Sequence, residues 1–456
     1  MRVHFIAIGG SAMHNLAIAL YHKGFNITGS DDEIFEPSRT RLTNLSLLPE
    51  KEGWFPEKIT RQLDAVILGM HAKADNPELI RAQELGLKIY SYPEYLYEQS
   101  ADKTRVVIGG SHGKTTITAM ILHVLQHCDI ETDYMVGAKL EGFDVMVKLT
   151  HSARVMVFEG DEYLTSPIDR RPKFHLYRPH IALLSGIAWD HMNVFPTFEN
   201  YVWQFERFCE LIEPGGKLVW YSGDEHIAGI VPKLRPDIQS LPYSIAEHET
   251  VNGITLLTSN STRTPLMVFG NHNLANIAGA RTVCAQLGIS DQQFNEAISS
   301  FKGASNRLEK IYETNDCIVF RDFAHSPSKV KATTTAVKEQ FPDRQITAIF
   351  ELHTFSSLSE AFLPQYKDAL VKADEAVVFF SPHALALKRL PMLNARQITQ
   401  AFNHPGLKVM TQADELQTWL TGRSWHNTAL LLMTSGNFDG ISPARFVEIV
   451  RNQTAE

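Results

Sequence analysis

Residues 105–125, RVVIGGSHGKTTITAMILHVL, combine a glycine-rich turn with a lysine and two threonines, a set that could hold a phosphate group. A β-branched run comes first and apolar residues at helical spacing follow, so the pattern predicts a strand, a turn and a helix. In such a loop the glycine N–H groups converge on the anion, Lys114 adds positive charge, and the Thr115 hydroxyl can bind magnesium. Ile108 stands where the strict pattern G-x-x-x-x-G-K-[ST] has its first glycine. The alternative is a structural strand-to-helix turn with an exposed lysine.

Acidic residues follow two later strands of the same segment. Glu159, Asp161 and Glu162 end the run ARVMVFEGDEY, and Asp190 and His191 end the run HIALLSGIAWDHM. Ligands bind at the carboxyl ends of strands in open α/β sheets, so these groups are expected beside the Lys-Thr turn. There they would suit one or two magnesium ions that bridge phosphate oxygens. Taken singly, each residue has a structural alternative as a helix cap or a loop hydrogen-bond partner.

A second glycine turn lies near the start of the chain, in IAIGGSAMHNLA. It is similar to the dinucleotide pattern G-x-G-x-x-G, although Ala7 and Ala12 replace two of the glycines. The N-terminus of the following helix is suited to a diphosphate. Ser30 and Asp31 close the next strand, where polar side chains would meet a sugar or a base. The alternative is a tight turn that binds no ligand.

Two further motifs carry side chains suited to a nucleotide. In GNHNLANIAGA, the amides of Asn273 and Asn276 could hydrogen-bond the edge of an adenine, or could simply cap a helix. In SNRLE, Arg307 stands at an expected domain junction and would reach a phosphate if the domains close. The alternative for Arg307 is a surface salt bridge.

The elements that must position these residues form three α/β segments. Strands and helices alternate in each segment, which predicts parallel sheets with crossover helices. The polar stretch YEQSADKT, residues 97–104, marks a boundary between the first and second segments. The third segment runs from CIVFRDFAHSPSKV through TALLLMTSGNFDG and has no phosphate loop of its own.

Composition places the chain among ordinary globular proteins. Its 456 residues suffice for two or three domains, and 44% of them are hydrophobic. A net charge of −8 argues against a role dominated by attraction to nucleic-acid phosphates. The four scattered cysteines form no C-x-x-C pair and fit a reducing cytoplasm. No apolar run approaches the roughly 20 residues that span a bilayer, so we expect no membrane partner.

Taken together and in this order, GGSHGKTT, EGDEY, WDHMN, GNHNLANIAGA, SNRLE and RDFAHSP resemble the motifs of the Mur ligase family, the ATP-dependent amide-bond formers of peptidoglycan synthesis. The resemblance covers essentially the whole chain. It implies an α/β fold with the three-domain Mur ligase architecture. The implied domains are a Rossmann-like UDP-sugar-binding domain at 1–102, a central P-loop ATPase domain at 103–304 and a Rossmann-like acceptor-binding domain at 305–456. ATP and Mg²⁺ are the implied cofactors.

The resemblance also implies a reaction and a role for each matching residue. The carboxylate of UDP-N-acetylmuramate would attack the γ-phosphate of ATP, and the acceptor amine would displace phosphate from the resulting acyl phosphate. The residues implied in ATP binding are Gly110, Ser111, His112, Gly113, Lys114, Thr115, Thr116, Asn273, Asn276, Arg307 and Asp322. The implied catalytic residues are Lys114, Glu159, His191 and His325, and the implied magnesium ligands are Thr115, Glu159 and His191. The residues implied in substrate binding are Gly9, Gly10, Ser11, Ser30, Asp31, His71 and His353.

Two acceptors compete within the family. The segments SDDEIFEPSRTRL, EGDEYLTSPIDRRPKFHLYRP and MTSGNFDGI are more similar to the members that attach L-alanyl-γ-D-glutamyl-meso-diaminopimelate in peptidoglycan recycling. The tyrosine and RPKF run within residues 163–179 carries most of this similarity. The tripeptide is therefore the expected acceptor. The alternative is L-alanine, the acceptor of the first step of stem-peptide synthesis.

The chain departs from the family at three places. Ser326 stands where relatives usually have a second histidine, and ELHTFSS, residues 351–357, lacks arginines found there in both kinds of relative. The helix ENYVWQFERFCEL has no lysine to match the carbamylated lysine of several relatives, and Glu206 is a candidate replacement. Two alternatives come from other classes, a nicotinamide oxidoreductase and a non-catalytic nucleotide-binding regulator. Neither explains all three segments.

Overall fold

The computed structural model describes residues 1–454 except 139, 141, 144, 167, 190–193, 252, 260, 261 and 305. The described residues form two compact units. The first unit holds residues 1–189, 194–244 and 279–297, and the second holds residues 245–278 and 298–454, with the gaps just named. No helix in the described part of the chain is long and apolar enough to cross a bilayer.

The first unit begins with a four-stranded parallel sheet whose strand order is β2-β1-β3-β4. Its elements are β1 (Arg2–Ile6), α1 (Ser11–His22), β2 (Asn26–Ser30), α2 (Ser38–Thr43), β3 (Ala65–Leu68), α3 (Pro77–Glu84), β4 (Ile89–Ser91) and α4 (Tyr92–Glu98). Helix α4 begins at a capping box in which Ser91 and Glu94 satisfy each other's backbone N–H groups. Pro93 lies in its first turn, where a missing N–H costs nothing.

A seven-stranded sheet of order β11-β10-β9-β5-β8-β6-β7 follows in the same unit. Its elements are β5 (Thr104–Gly109), α5 (Lys114–His127), β6 (Thr132–Met135), β7 (Val147–Lys148), β8 (Val155–Glu159), β9 (Ile181–Leu184), α6 (Phe198–Glu210), β10 (Lys217–Tyr221), α7 (Glu225–Ile230) and β11 (Gln239–Tyr243). Only β7 runs antiparallel to its neighbour. Val106, Val107 and Ile108 of β5 are fully buried, as expected for a central parallel strand covered on both faces.

The second unit contains an antiparallel three-stranded sheet and a six-stranded sheet. The small sheet comprises β12 (His248–Val251), β13 (Ile254–Ser259) and β14 (Thr262–Leu266), and is followed along the chain by α8 (Asn271–Gln286) and α9 (Asp291–Ile298). The larger sheet has the order β15-β16-β20-β17-β18-β19, in which only β15 is antiparallel. Its elements are β15 (Glu309–Glu313), β16 (Cys317–Asp322), α10 (Pro327–Gln340), β17 (Gln345–Glu351), β18 (Glu375–Phe379), α11 (Pro382–Leu387), α12 (Ala395–Phe402), β19 (Lys408–Met410), α13 (Ala413–Thr421), β20 (Thr428–Met433) and α14 (Pro443–Thr454).

The predicted α/β architecture with parallel sheets is confirmed. The antiparallel sheet β12–β14 was not predicted, and its strands are short and mostly exposed or half-buried. The domain boundaries at residues 102 and 304 stay predictions.

Candidate active site

The glycine turn after β5 has the backbone of a phosphate loop. Gly110 and Gly113 have φ angles of 126° and 72°, in the region that favours glycine. A Cβ on Gly110 would lie 2.3 Å from Ser185 Oγ, so the loop leaves no room for a side chain there. Ile108, which breaks the strict sequence pattern, is a buried residue of β5 and therefore lies in the strand rather than in the turn.

The loop is tied to the segment that follows β9. The N–H of Ser111 donates to the carbonyl of Gly186 at 2.8 Å. The Ser185 hydroxyl donates to the carbonyl of Gly109 at 3.2 Å and also to the carbonyl of His112. These contacts fix the direction of the loop backbone before any ligand arrives.

Lys114 begins helix α5 and lies across the turn. Its Nζ donates to the carbonyl of Gly110 at 2.6 Å and pairs with Glu162 Oε2 at 2.7 Å. Burial lowers the pKa of Lys114, but the carboxylates of Glu162, Asp161 and Glu159 outweigh burial, so the pKa lies above its ordinary value. The ammonium group is therefore charged at neutral pH and faces the phosphate loop.

Thr115 and Glu159 form a pair of oxygen donors next to Lys114. The Thr115 hydroxyl donates to Glu159 Oε1 at 2.6 Å, and the N–H of Gly137 donates to Glu159 Oε2 at 2.8 Å. Both side chains are nearly buried, at 9% and 8% exposure. A hydroxyl and a carboxylate are the hard oxygen ligands that magnesium prefers, so these two residues fit the predicted ion.

The third predicted magnesium ligand, His191, and its neighbour Asp190 lie outside the described residues. Within the described part of the chain, no three His, Cys, Asp or Glu side chains form a group that could hold a metal. Thr116 is buried in the first turn of α5. Glu206, the candidate replacement for a carbamylated lysine, forms an ion pair with Lys233 at 2.5 Å. The Lys233 side chain is 65% exposed. This ion pair argues against the replacement.

The second glycine turn, which was predicted to bind the sugar nucleotide, lies after β1 at the carboxyl edge of the first sheet, and hydrogen bonds hold it in place. Gly9 N–H donates to Asp31 Oδ2 at 2.7 Å, and a Cβ on Gly9 would lie 2.9 Å from the same oxygen. Ala7, which replaces a glycine of the pattern, has a φ of 68°, so the turn keeps a glycine-like conformation without the glycine. Gly10 is the N-cap residue of α1 and exposed Ser11 is its first residue, and a Cβ on Gly10 would lie 3.8 Å from His71 Cδ2.

Ser30 and Asp31 are buried at the end of β2. The Ser30 hydroxyl has no hydrogen-bond partner among the described residues. Burial raises the pKa of the Asp31 carboxyl to about 6, although the Gly9 N–H works in the opposite direction, and adjacent Asp32 raises the pKa further. Asp31 therefore changes charge near neutral pH while in contact with the glycine turn.

We expect Asp31 to make folding stability depend on pH. The folded pKa of about 6 exceeds the unfolded value of about 3.9, so between these values the native state binds more protons than the unfolded state. The free energy of unfolding must then fall as the pH rises from about 4 to about 6. Asp31→Asn should flatten this fall by on the order of 2 kcal/mol, as measured by urea unfolding across that range. The exposed Asp75→Asn serves as control, and an unchanged pH dependence in Asp31→Asn would contradict the assignment.

In the second unit, Asp322, Arg307 and His325 meet at the carboxyl end of β16. Asp322 accepts hydrogen bonds from the N–H groups of Leu308 at 2.7 Å and Ala324 at 2.6 Å, so each carboxylate oxygen has one backbone donor. Burial raises the pKa of Asp322 to about 6, against the opposing effects of Arg307 and these N–H groups. The Arg307 guanidinium lies over the Phe323 ring at 4.6 Å, and His325 packs edge-on against the same ring.

His353 follows β17, which is separated from β16 by β20 in the same sheet. Its Nδ1 is 3.6 Å from Glu351 Oε1, and Glu351 Oε2 accepts from the Phe438 N–H at 2.9 Å and from the Thr434 hydroxyl. A Cβ on Gly436 would lie 2.5 Å from His353 Nδ1, so the loop after β20 is packed closely against this histidine. Glu351 was not among the predicted site residues, although its buried carboxylate fixes that loop.

Asn273 and Asn276 lie in the first turns of α8 and are 6% and 8% exposed. The Asn273 amide donates to the carbonyl of Phe269 at 2.9 Å, which is a helix-terminal contact. The hydroxyl of Ser326, where relatives have a histidine, is buried without a hydrogen-bond partner among the described residues.

The structure therefore gathers the predicted residues into three groups. The phosphate-loop residues, Thr115 and Glu159 lie together, and so do the N-terminal turn, Asp31 and His71. In the second unit, Arg307, Asp322 and His325 are grouped at the end of β16. Sequence reasoning missed the ion pair between Lys114 and Glu162, although the spacing of Glu162 from Glu159 placed it at the right strand end.

Family models match two parts of this chain. The Mur ligase middle domain matches residues 108–284, and the catalytic domain of the Mur ligase family matches residues 2–104. A UDP-N-acetylmuramate–L-alanine ligase from a Sulfurihydrogenibium species is 30% identical over 370 residues, which cover 79% of this chain and 78% of the relative. An enzyme of the same name from Desulfitobacterium hafniense is 26% identical over 439 residues, covering 92% and 94% of the two chains.

Solved structures show the same fold. A UDP-N-acetylmuramate–alanine ligase from Thermotoga maritima superposes with a TM-score of 0.69 at 21% identity and covers 100% of both chains. A murein peptide ligase from Psychrobacter arcticus gives a TM-score of 0.63 at 22% identity, with 99% of each chain covered. The chain thus belongs to the Mur ligase family, with its three-domain α/β architecture and its ATP-dependent amide ligation.

Proposed function

We propose that this chain activates the carboxylate of UDP-N-acetylmuramate with ATP and joins it to the amine of a small acceptor. The observation that carries the proposal is the constellation of Lys114, Thr115 and Glu159 on a phosphate loop, in a chain that aligns over most of its length with UDP-N-acetylmuramate–L-alanine ligases. The four cysteines are free thiols, which fits a reducing compartment, so we propose a cytoplasmic enzyme.

The phosphate loop supplies positive charge where two anions must meet. Lys114 and the N–H groups of the loop from Gly110 to Gly113 would hold the phosphates of ATP. Thr115 and Glu159 would hold a magnesium ion, which when bound offsets the charge on the phosphate oxygens. Neutralising those oxygens removes the repulsion that the incoming carboxylate would otherwise meet.

The proposed reaction consists of two displacements, the first at the γ-phosphorus of ATP and the second at the acyl carbon of the donor. The muramate carboxylate oxygen forms a bond to the γ-phosphorus, and the bond from that phosphorus to the bridging oxygen of ADP breaks. The acceptor amine then attacks the acyl carbon, loses a proton and expels phosphate. The turn at Gly9 and Gly10 beside Asp31 would bind the diphosphate and ribose of the donor, and Arg307, Asp322, His325 and His353 would serve the nucleotide and the acceptor.

For the acceptor, we propose L-alanine. The relatives that align with 92% and 79% of this chain are both named for L-alanine, whereas the motifs of the sequence favoured the tripeptide. The comparisons thus support the alternative acceptor better than the first one.

The tripeptide remains a second candidate because residues 163–179 are more similar in sequence to the members that attach the tripeptide, and residues 163–173 of this segment form a loop after β8. Thr165 and Arg171 close this loop through the Arg171 carbonyl, which accepts from the Thr165 hydroxyl at 2.6 Å. Asp169 pairs with Arg171 inside it, and Lys173 pairs with Asp161 at 2.6 Å. The loop that carries the tripeptide-type sequence is therefore joined to the acidic segment after β8.

The test is phosphate release from ATP with magnesium and UDP-N-acetylmuramate, with L-alanine or the tripeptide added in parallel. With L-alanine we expect phosphate release and a product whose mass equals that of the donor plus alanine minus water. Release with the tripeptide alone would overturn the L-alanine assignment and leave the ligase standing. No release with either acceptor, in protein that binds ATP, would refute the donor or the acceptor class.

A further inference from the structure

We propose that Tyr201 is a positioning residue for the phosphate loop, a role that rests on the proposed function. Tyr201 lies on α6 and is fully buried. Its hydroxyl is 2.9 Å from Ser111 Oγ in the loop and 3.1 Å from Glu162 Oε1. The same Glu162 pairs through its other oxygen with Lys114. One hydroxyl thus joins the loop to the carboxylate that directs the loop lysine.

The available protons fix the donor and the acceptor of each hydrogen bond in this chain of contacts. The Ala188 N–H donates to Ser111 Oγ at 2.9 Å, and the Glu162 carboxylate, which faces the Lys114 ammonium, can only accept. Tyr201 has one hydroxyl proton, which it donates in the hydrogen bond to Glu162. The Ser111 hydroxyl must then donate to Tyr201. Each hydrogen bond in such a chain polarises the next one, which strengthens the hold on the carboxylate.

Burial makes the arrangement costly to disturb. Ser111 is 3% exposed and Glu162 is 1% exposed, so water cannot easily replace a lost partner. Without the Tyr201 hydroxyl, the Ser111 proton loses its acceptor and Glu162 Oε1 loses a donor. The hydrogen bond that ties Glu162 to the loop through Tyr201 is then lost, so the ion pair of Glu162 with Lys114 is held less firmly beside the loop.

Another buried tyrosine of the same unit provides a matched control for Tyr201. Tyr177 is also fully buried, and its ring stacks on Phe158 at 4.2 Å. The Tyr177 hydroxyl has no hydrogen-bond partner among the described residues. Tyr177→Phe is therefore a matched control that removes the same atom from the same unit without touching the loop.

The experiment compares Tyr201→Phe with Tyr177→Phe in the full-length protein. The dissociation constant for a non-hydrolysable ATP analogue with magnesium is measured by calorimetry, and KM is measured for ATP and for UDP-N-acetylmuramate. We expect Tyr201→Phe to weaken analogue binding and raise KM for ATP by about five- to tenfold. KM for the donor should stay unchanged, a split that a merely structural role would not produce. Tyr177→Phe should change neither value.

The proposal is overturned if Tyr201→Phe binds the analogue as well as Tyr177→Phe does, or if both KM values rise together. Should Tyr201→Phe not fold, Ser111→Ala in the wild-type background removes the same contact from the loop side and must weaken analogue binding. If Tyr201→Phe does fold, adding Ser111→Ala to it should weaken binding little further. Wild-type protein that binds the analogue but forms no amide would refute the proposed function, while the comparison of affinities would still decide the role of Tyr201. Wild-type protein that binds no nucleotide would overturn both proposals.

Discussion

Lys114→Met should lower kcat by on the order of 10³-fold, because it removes the side-chain cation held at the phosphate loop by Gly110 and Glu162. The substitution also removes the cation that is paired with the Glu162 carboxylate, which is 1% exposed. Breaking one side of a buried ion pair costs about 3–5 kcal/mol of stability, so unfolding must be measured alongside activity.

A second variant separates these effects. Removing both partners of a buried pair costs less than removing one, so Lys114→Met combined with Glu162→Gln should regain part of the lost stability in urea unfolding. Its kcat should stay as low as that of Lys114→Met. The control is Lys233→Met, which breaks a pair at a mostly exposed lysine and should keep wild-type activity. Recovery of activity in the double variant would contradict a direct role for Lys114.

The next largest effect is expected at Glu159. Glu159→Gln keeps the size of the side chain and one acceptor oxygen, yet it removes the negative charge beside the Thr115 hydroxyl. We expect kcat to fall by about 10²-fold and the magnesium concentration for half-maximal rate to rise, because a neutral amide is a poor ligand for a hard cation. Rates measured across a magnesium titration check this prediction.

Two controls accompany Glu159→Gln: its unfolding in urea and a substitution in an exposed ion pair. In Glu159→Gln the Gly137 N–H can still donate to the remaining oxygen of the side-chain amide, so urea unfolding should move little. Glu210→Gln, in a pair with Arg207 that is about half exposed, should leave the magnesium dependence unchanged. An unchanged magnesium requirement in Glu159→Gln would rule out Glu159 as a ligand.

Much of the site could be read from the sequence because its signals are local. The pattern at residues 105–125 predicts a strand, a glycine turn and a helix that starts at Lys-Thr, and the structure has β5, the turn and α5 there. Acidic strand ends were expected beside that turn, and the contact of 2.6 Å between Thr115 and Glu159 agrees with this expectation. Parallel topology brings such strand ends to one edge, which is why local patterns were enough.

What the sequence could not show depends on contacts between distant residues. Tyr201, Phe205 and Phe208 recur at helical spacing, a pattern that indicates only a buried face, and nothing in it reveals that one hydroxyl reaches the phosphate loop. The ribose contact of Asp322 stays a prediction, and the sequence did not indicate that both of its oxygens accept backbone N–H groups. The sheet β12–β14 was missed although the dipeptide NG at residues 252–253 is a hairpin signal.

The most direct test of carboxylate activation follows one oxygen atom. UDP-N-acetylmuramate labelled with ¹⁸O in its carboxylate is turned over with ATP, magnesium and the acceptor, and the released phosphate is analysed by mass spectrometry. Formation of an acyl phosphate predicts that one labelled oxygen moves from the carboxylate to phosphate in each turnover. Unlabelled phosphate released together with amide product would contradict the account, because the carboxylate would then never have been bonded to the γ-phosphorus.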